Sequence, residues 1–91
     1  VPGSFEIPYA CKKISKNYDA IIAIGCIIEG ETDHYKFISE NSSIGIQKVS
    51  IEEEKPIIFA VLTVKNHGQA TERIKNAITY AENAVEMACN F

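Results

Sequence analysis

Glu31, Thr32 and His34 lie within one short turn, Gly30-Glu31-Thr32-Asp33-His34-Tyr35, and their types suit work on an anion. A threonine or carboxylate there can cap a helix, and the free backbone N–H groups of a helix start can hold a phosphate. An imidazole beside them can exchange protons near neutral pH. Arg73, farther along the chain, carries a planar guanidinium that can grip a phosphate with two hydrogen bonds. Each residue also has a plainer reading: a polar histidine at a helix start, a capping threonine, a solvated arginine on a helix face. Cys26 with His34 suggests a thiol nucleophile, but such chemistry needs a thiolate beside a base, and an apolar strand disfavours thiolates. His34 and His67 have no third ligand at a supporting spacing, so no metal is expected. Phe5 and Phe59 fall near strand ends, where an aromatic ring either packs into the core or stacks on a planar ligand.

The flanking elements give the turn its meaning. Asp19–Ile28 is almost continuously apolar and reads as a buried parallel strand from about Ala20. An amphipathic pattern follows, predicting a helix over about Tyr35–Val49 with Ile38, Ser42, Gly45, Ile46 and Val49 on one face. The small residues of that face suit close packing against a sheet or another subunit, and by that second route favour assembly. The turn thus joins a strand's carboxyl end to a helix's amino end, where ligands bind in open α/β sheets. Upstream, Val1–Glu6 reads as a frayed strand end entering a helix, with Pro8 in its first turn and Ile7, Ala10, Cys11 and Ile14 at helical spacing. Downstream, Ser50–Lys55, with three consecutive glutamates, reads as a solvated connection. Pro56–Val64 reads as a second buried strand. Asn66 with Gln69 resembles a capping box opening one long terminal helix, whose predicted buried stripe is Ala70, Ile74, Ala77, Ile78, Ala81, Val85 and Ala88.

Bulk properties narrow the class. Ninety-one residues at 46% hydrophobic and 23% charged fit one globular domain with a small core. A net charge of −3 with no basic cluster gives no basis for nucleic-acid binding. No apolar run approaches a membrane span, and Val1–Phe5 lacks the regions of a signal peptide. Cys11, Cys26 and Cys89 are an odd number without close pairing, which predicts buried free thiols and a cytoplasmic setting. The chain does not begin with Met, and two strands and a stub are too few for a doubly covered sheet. Both features read as an amino-terminally incomplete chain, with the remaining strands supplied by more of the chain or by another subunit.

Four stretches then carry a family resemblance: Val1–Pro8, Ile24–Tyr35, Pro56–Thr63 and Gln69–Arg73. In this order and approximate spacing, they resemble lumazine synthase, and they span nearly the whole chain. The resemblance implies a single partial domain, 1–91, of a flavodoxin-like three-layer α/β sandwich with a central parallel sheet, its first strand and helix missing here. It implies condensation of 5-amino-6-ribitylaminouracil with 3,4-dihydroxy-2-butanone 4-phosphate, without a metal or organic cofactor, by a homo-oligomer built as a pentamer or a 60-subunit shell. Ser4, Phe5 and Glu6 resemble the segment holding the ribityl chain and pyrimidine. Ile27 and Ile28 match positions whose backbone reads the pyrimidinedione edge. Glu31 and Thr32 match the phosphate turn, Arg73 the arginine on the same phosphate, and His34 the proton-transfer histidine. Phe59 resembles an aromatic residue presented to a neighbouring subunit's site. Asp33 departs from the proline or hydroxyl residue common in the family, bringing a carboxylate that either opposes an anion or pairs with His34. The last helix lacks a Gly-Asn-Lys-Gly-like run, so no lysine is carried over, and the aromatic residue that stacks on the pyrimidine has no counterpart. A non-catalytic flavin- or lumazine-binding homologue is the alternative, with an archaeal-type riboflavin synthase behind it.

Overall fold

A computed structural model describes residues 1–91. Two eight-residue strands, β1 (Ile21–Ile28) and β2 (Ile57–Val64), pair in parallel with Ile21 opposite Ile57 and Ile28 opposite Val64. Both strands are rich in branched apolar residues, as strands with two packed faces are. Helix α1 (Ile7–Ile14) precedes β1, and α2 (His34–Glu53) connects the strands. Beyond β2 come α3 (His67–Arg73) and α4 (Ala77–Asn90).

Strand alternation divides the sheet into two unlike faces. On one face, Ala23, Ile27 and Val61 meet Ile7 and Cys11 of α1 and Ile46 and Val49 of α2 in a single buried cluster. On the other, Ala60 and Val64 are buried along with Ala84 of α4, while β1 lies largely bare: Ile24 is 76% exposed. Cys26, two residues on, is exposed for the same reason, and Cys89 is exposed too. Only Cys11 follows the expectation of buried thiols; desolvation raises its pKa.

The predicted face of α2 forms: Ser42, Ile46 and Val49 are buried, and Ile38 and Gly45 half-buried. Its small residues serve contacts inside the chain. A Cβ on Gly45 would lie 2.7 Å from Cγ of Pro8, so glycine lets α1 close on α2. Ser42 Oγ donates to the Ser4 carbonyl at 3.0 Å, pinning the 3-10 turn Ser4–Glu6 that enters α1. That turn replaces the predicted frayed strand end. Gly25 completes the contact, since a Cβ there would meet Ser4 Oγ at 2.7 Å.

Two boundaries differ from the sequence reading. Helix α2 continues through Ser50–Glu53, and Glu54 ends it in the left-handed region at φ 53°. Glutamate favours helix, and the charge that would oppose the helix dipole is met by Lys12, which pairs with Glu53. The hydrogen bond and charge of Lys12 hold the Glu53 carboxyl below its ordinary 4.5. That contribution is therefore present above pH 4.5 and lost as acid protonates Glu53 through its lowered pKa. The terminal helix opens as expected, Asn66 Oδ1 accepting from the Gln69 N–H at 2.9 Å; Gln69 Oε1 in turn accepts from the Lys65 N–H. It does not run on as one helix: Ile74–Asn76 is a 3-10 turn. Three residues at three per turn rotate the following helix by about 60° relative to an α-helical continuation. The predicted stripe is turned off the sheet in consequence. Ile74, Ile78 and Val85 are 64%, 72% and 64% exposed, and Ala84 is the buried residue of α4.

Candidate functional site at the carboxyl end of the first strand

Beyond Ile28 the chain leaves the sheet, Glu29 making a last backbone hydrogen bond from its N–H to the Val64 carbonyl at 2.8 Å. The turn then runs through Gly30–Asp33 into α2, whose first turn has no side-chain cap. The nearest substitute is Thr32 Oγ1, which accepts from the His34 N–H at 3.4 Å, beyond the usual range for such bonds. Helix-start N–H groups are thus left without protein acceptors beside exposed residues, which suits an external anion.

Ile27, Ile28, Gly30, Thr32, His34, Tyr35 and Ile38 line one cavity of about 180 Å³ here. The structure therefore brings four of the expected site residues together: Ile27, Ile28, Thr32 and His34. Glu31 is exposed outside that lining, so its backbone rather than its carboxylate is what the turn can offer an anion. Asp33 turns to Lys36, with Oδ1 and Nζ 3.5 Å apart, and makes no ion pair with His34.

Arg73 reaches the same end of the sheet from the last residue of α3. Its Nη1 donates to the Thr63 carbonyl at 3.3 Å, and Thr63 stands opposite Ile27 in the strand register. The Thr63 hydroxyl shares a 2.9 Å hydrogen bond with Ser39 Oγ of α2. One strand residue thus links the arginine, the helix and β1. With a single neutral acceptor engaged, the guanidinium keeps further donors for an anion.

The remaining expected residues lie apart. Ser4 is held through its carbonyl by Ser42, and Phe5 is 55% exposed on the same 3-10 turn as exposed Glu6. Phe59, 44% exposed, lines a different cavity of about 290 Å³ with Ser43, Ile46, Gln47 and Ser50 of α2. Cys26 faces a third space, an apolar groove of about 400 Å³ between β1 and the α3–α4 segment. That placement separates it from the His34 cavity and removes the geometry a thiol nucleophile would need. The groove is larger than the turn cavity but is almost wholly apolar, lined by Ile24, Leu62, Ile74 and Ala77 among others; it is the bare side of the sheet rather than a set of convergent polar groups. No group of three or more His, Cys, Asp or Glu forms a metal-binding cluster, and no helix is long and apolar enough to cross a membrane. Glu29, Tyr35, Ser39 and Thr63 also contribute contacts at this end of the sheet. Sequence signalled only the first two, as a charged residue closing an apolar strand and an aromatic residue opening a helix.

A parallel α/β sheet with an anion-suited helix start at its strand ends defines a ligand-binding α/β domain of the three-layer type. A family model described as 6,7-dimethyl-8-ribityllumazine synthase matches residues 1–91. Curated proteins named 6,7-dimethyl-8-ribityllumazine synthase in Prochlorococcus marinus subsp. pastoris and in Prochlorococcus marinus strain AS9601 are each 50% identical to the chain over 93 aligned residues. A third, from strain MIT 9515, is 48% identical. Each alignment covers 96% of this chain and 59% of the relative. The chain belongs to the 6,7-dimethyl-8-ribityllumazine synthase family, and it spans about three fifths of the length of the curated relatives it matches.

Proposed function

We propose that the full-length protein is a lumazine synthase of riboflavin biosynthesis, condensing 5-amino-6-ribitylaminouracil with 3,4-dihydroxy-2-butanone 4-phosphate. The pyrimidine's amine attacks the ketone, phosphate is eliminated, and the ring closes with loss of water. The observation that carries this reading is the shared cavity of Thr32 and His34 at the strand end, in a chain matched by the family along its whole length.

The helix-start amides of Glu31 and Thr32, with the guanidinium of Arg73, hold the phosphate and stabilise its departure. His34 moves protons during the condensation. The backbone of Ile27 and Ile28 reads the pyrimidinedione edge, and Ser4, Phe5 and Glu6 hold the ribityl chain and ring. None of these steps draws on a metal or an organic cofactor. A cavity of about 180 Å³ is smaller than the ~300 Å³ at which small-molecule pockets usually begin, so one chain supplies part of the site. Phe59, in its separate cavity, completes the site of a neighbouring subunit in a cytoplasmic homo-oligomer, a pentamer or a 60-subunit shell of pentamers. The exposed apolar face of β1 supports completion of the sheet outside these residues, by more of the chain or by a neighbour.

Incubating the full-length protein with both substrates tests the reading. Phosphate and lumazine should appear in equal amounts, well above the protein-free rate. Binding of lumazine without phosphate release would make the protein a non-catalytic binder instead.

A further inference from the structure

Glu29 and Tyr35 bracket the phosphate turn and have no part in the chemistry above, yet the structure ties them together across it. The Tyr35 ring packs against the core cluster formed by α1, α2 and the sheet and lines the His34 cavity. Its hydroxyl reaches back to donate to Glu29 Oε1 at 3.2 Å. Burial of the ring, then the hydrogen bond to Glu29, raise the phenol's pKa above its ordinary 10.0, which keeps the hydroxyl a donor. Glu29 is itself anchored through its backbone to Val64 of β2.

The turn between these two fixed points has few ties of its own. A Cβ on Gly30 would meet nothing within 4 Å. Glu31 and Thr32 are exposed, α2 starts without a side-chain cap, and the Thr32–His34 contact is long. The Asp33–Lys36 pair is solvent-exposed on both sides, and such pairs contribute little. The bond joining a core-seated ring to the sheet's end is therefore the one cross-link that closes the loop.

We propose that Tyr35 and Glu29 are positioning residues, whose hydrogen bond sets the curvature of Gly30–His34 and so the spacing between the phosphate-holding amides and the His34 imidazole. The inference rests on the phosphate-turn reading above. Preorganised donors hold an anion without reorganising when it arrives, so loss of the tie weakens anion binding although neither residue touches the anion.

The test uses the full-length protein with Tyr35→Phe, Glu29→Ala, Glu29→Gln and the Tyr35→Phe/Glu29→Ala double variant. Inorganic phosphate is titrated, and amide hydrogen exchange is followed across residues 30–35 without ligand. Phenylalanine preserves the ring packing, and Glu29→Gln keeps an acceptor oxygen while removing the charge. Tyr35→Phe should weaken phosphate binding about two- to ten-fold, the weight of one ordinary hydrogen bond, and speed exchange in the turn. Glu29→Ala should show the same loss relative to Glu29→Gln, which should bind at least as well as the wild type. The double variant should be no worse than either single one. Unchanged affinity and exchange in Tyr35→Phe would overturn the proposal, as would additive losses in the double variant. A wild-type protein that binds no phosphate, but whose turn amides still respond to the variants, would support the tie and overturn the phosphate reading.

Discussion

Asp33 puts a carboxylate inside a turn otherwise suited to an anion, and Lys36 answers it from one helical turn onward at 3.5 Å. Both partners are largely solvent-exposed, so the pair adds little stability, but it turns the carboxylate toward a cation and away from His34. Arg73 is poised differently. Its one hydrogen bond runs to a backbone carbonyl of the strand opposite β1, so the guanidinium is oriented before any ligand arrives. Replacing it with methionine keeps the stem that covers the apolar groove and removes the donors. Arg73→Met should raise the dissociation constant for inorganic phosphate about ten- to a hundred-fold, the weight of hydrogen bonds to a charged group, with the melting temperature nearly unchanged. Calorimetric titration beside a thermal melt separates that result from a merely structural role, in which stability would fall and phosphate affinity would hold.

At the level of elements, the site depends on α1 and α2 lying close enough to fix both the Ser4 turn and the start of α2. Gly45 sets that distance. A methyl group there would sit 2.7 Å and 2.9 Å from two ring carbons of Pro8, and a proline ring cannot swing aside. Gly45→Ala should destabilise the protein by about 1–3 kcal/mol, as overpacking does, although alanine is the better helix former. Chemical denaturation measures the loss, and a gain in stability would mean that α1 does not pack on α2 as described. Much of this layer was legible in the sequence. Nearly unbroken apolar runs gave β1 and β2, and the spacing of Ile38, Ser42, Ile46 and Val49 gave the inward face of α2, because burial on a fixed side imposes a period. The glutamates at 52–54 misled, since their charge reads as a solvated connection and Lys12, their long-range partner, is invisible to local pattern. The stripe on the terminal helix misled through phase: nothing local marks Ile74–Asn76 as 3-10, and one tight turn re-aims everything after it. In the site, the Gly30–His34 turn was legible from its place between strand and helix. The separation of Phe59 and Cys26 from His34 was not, because it depends on which sheet face each helix covers.

On the scale of the whole molecule, only 12 of 91 residues are buried, and large apolar side chains such as Ile24, Ile78 and Val85 face outward. Exposed apolar surface of this extent marks interfaces, which agrees with a site shared between subunits. A shared site has a distinctive signature. In the full-length protein, His34→Ala removes the proton-transfer group of a subunit's own cavity, whereas Phe59→Ala removes what that subunit lends to its neighbour. Co-assembled from equal amounts, the two inactive variants should regain activity at about a quarter of the interfaces, those where an intact His34 meets an intact Phe59 in a heterologous contact. Mixed assemblies no more active than the separate variants would place both residues in one subunit's site.

The account stands most directly on His34 as the group that moves protons at the phosphate turn. Its measurement is the steady-state rate of lumazine formation by the full-length protein and by its His34→Ala variant, with assembly checked alongside. The account expects turnover to fall by about a hundredfold or more, the usual weight of a positioned acid–base group, with assembly intact. Turnover equal to that of the wild type would contradict it.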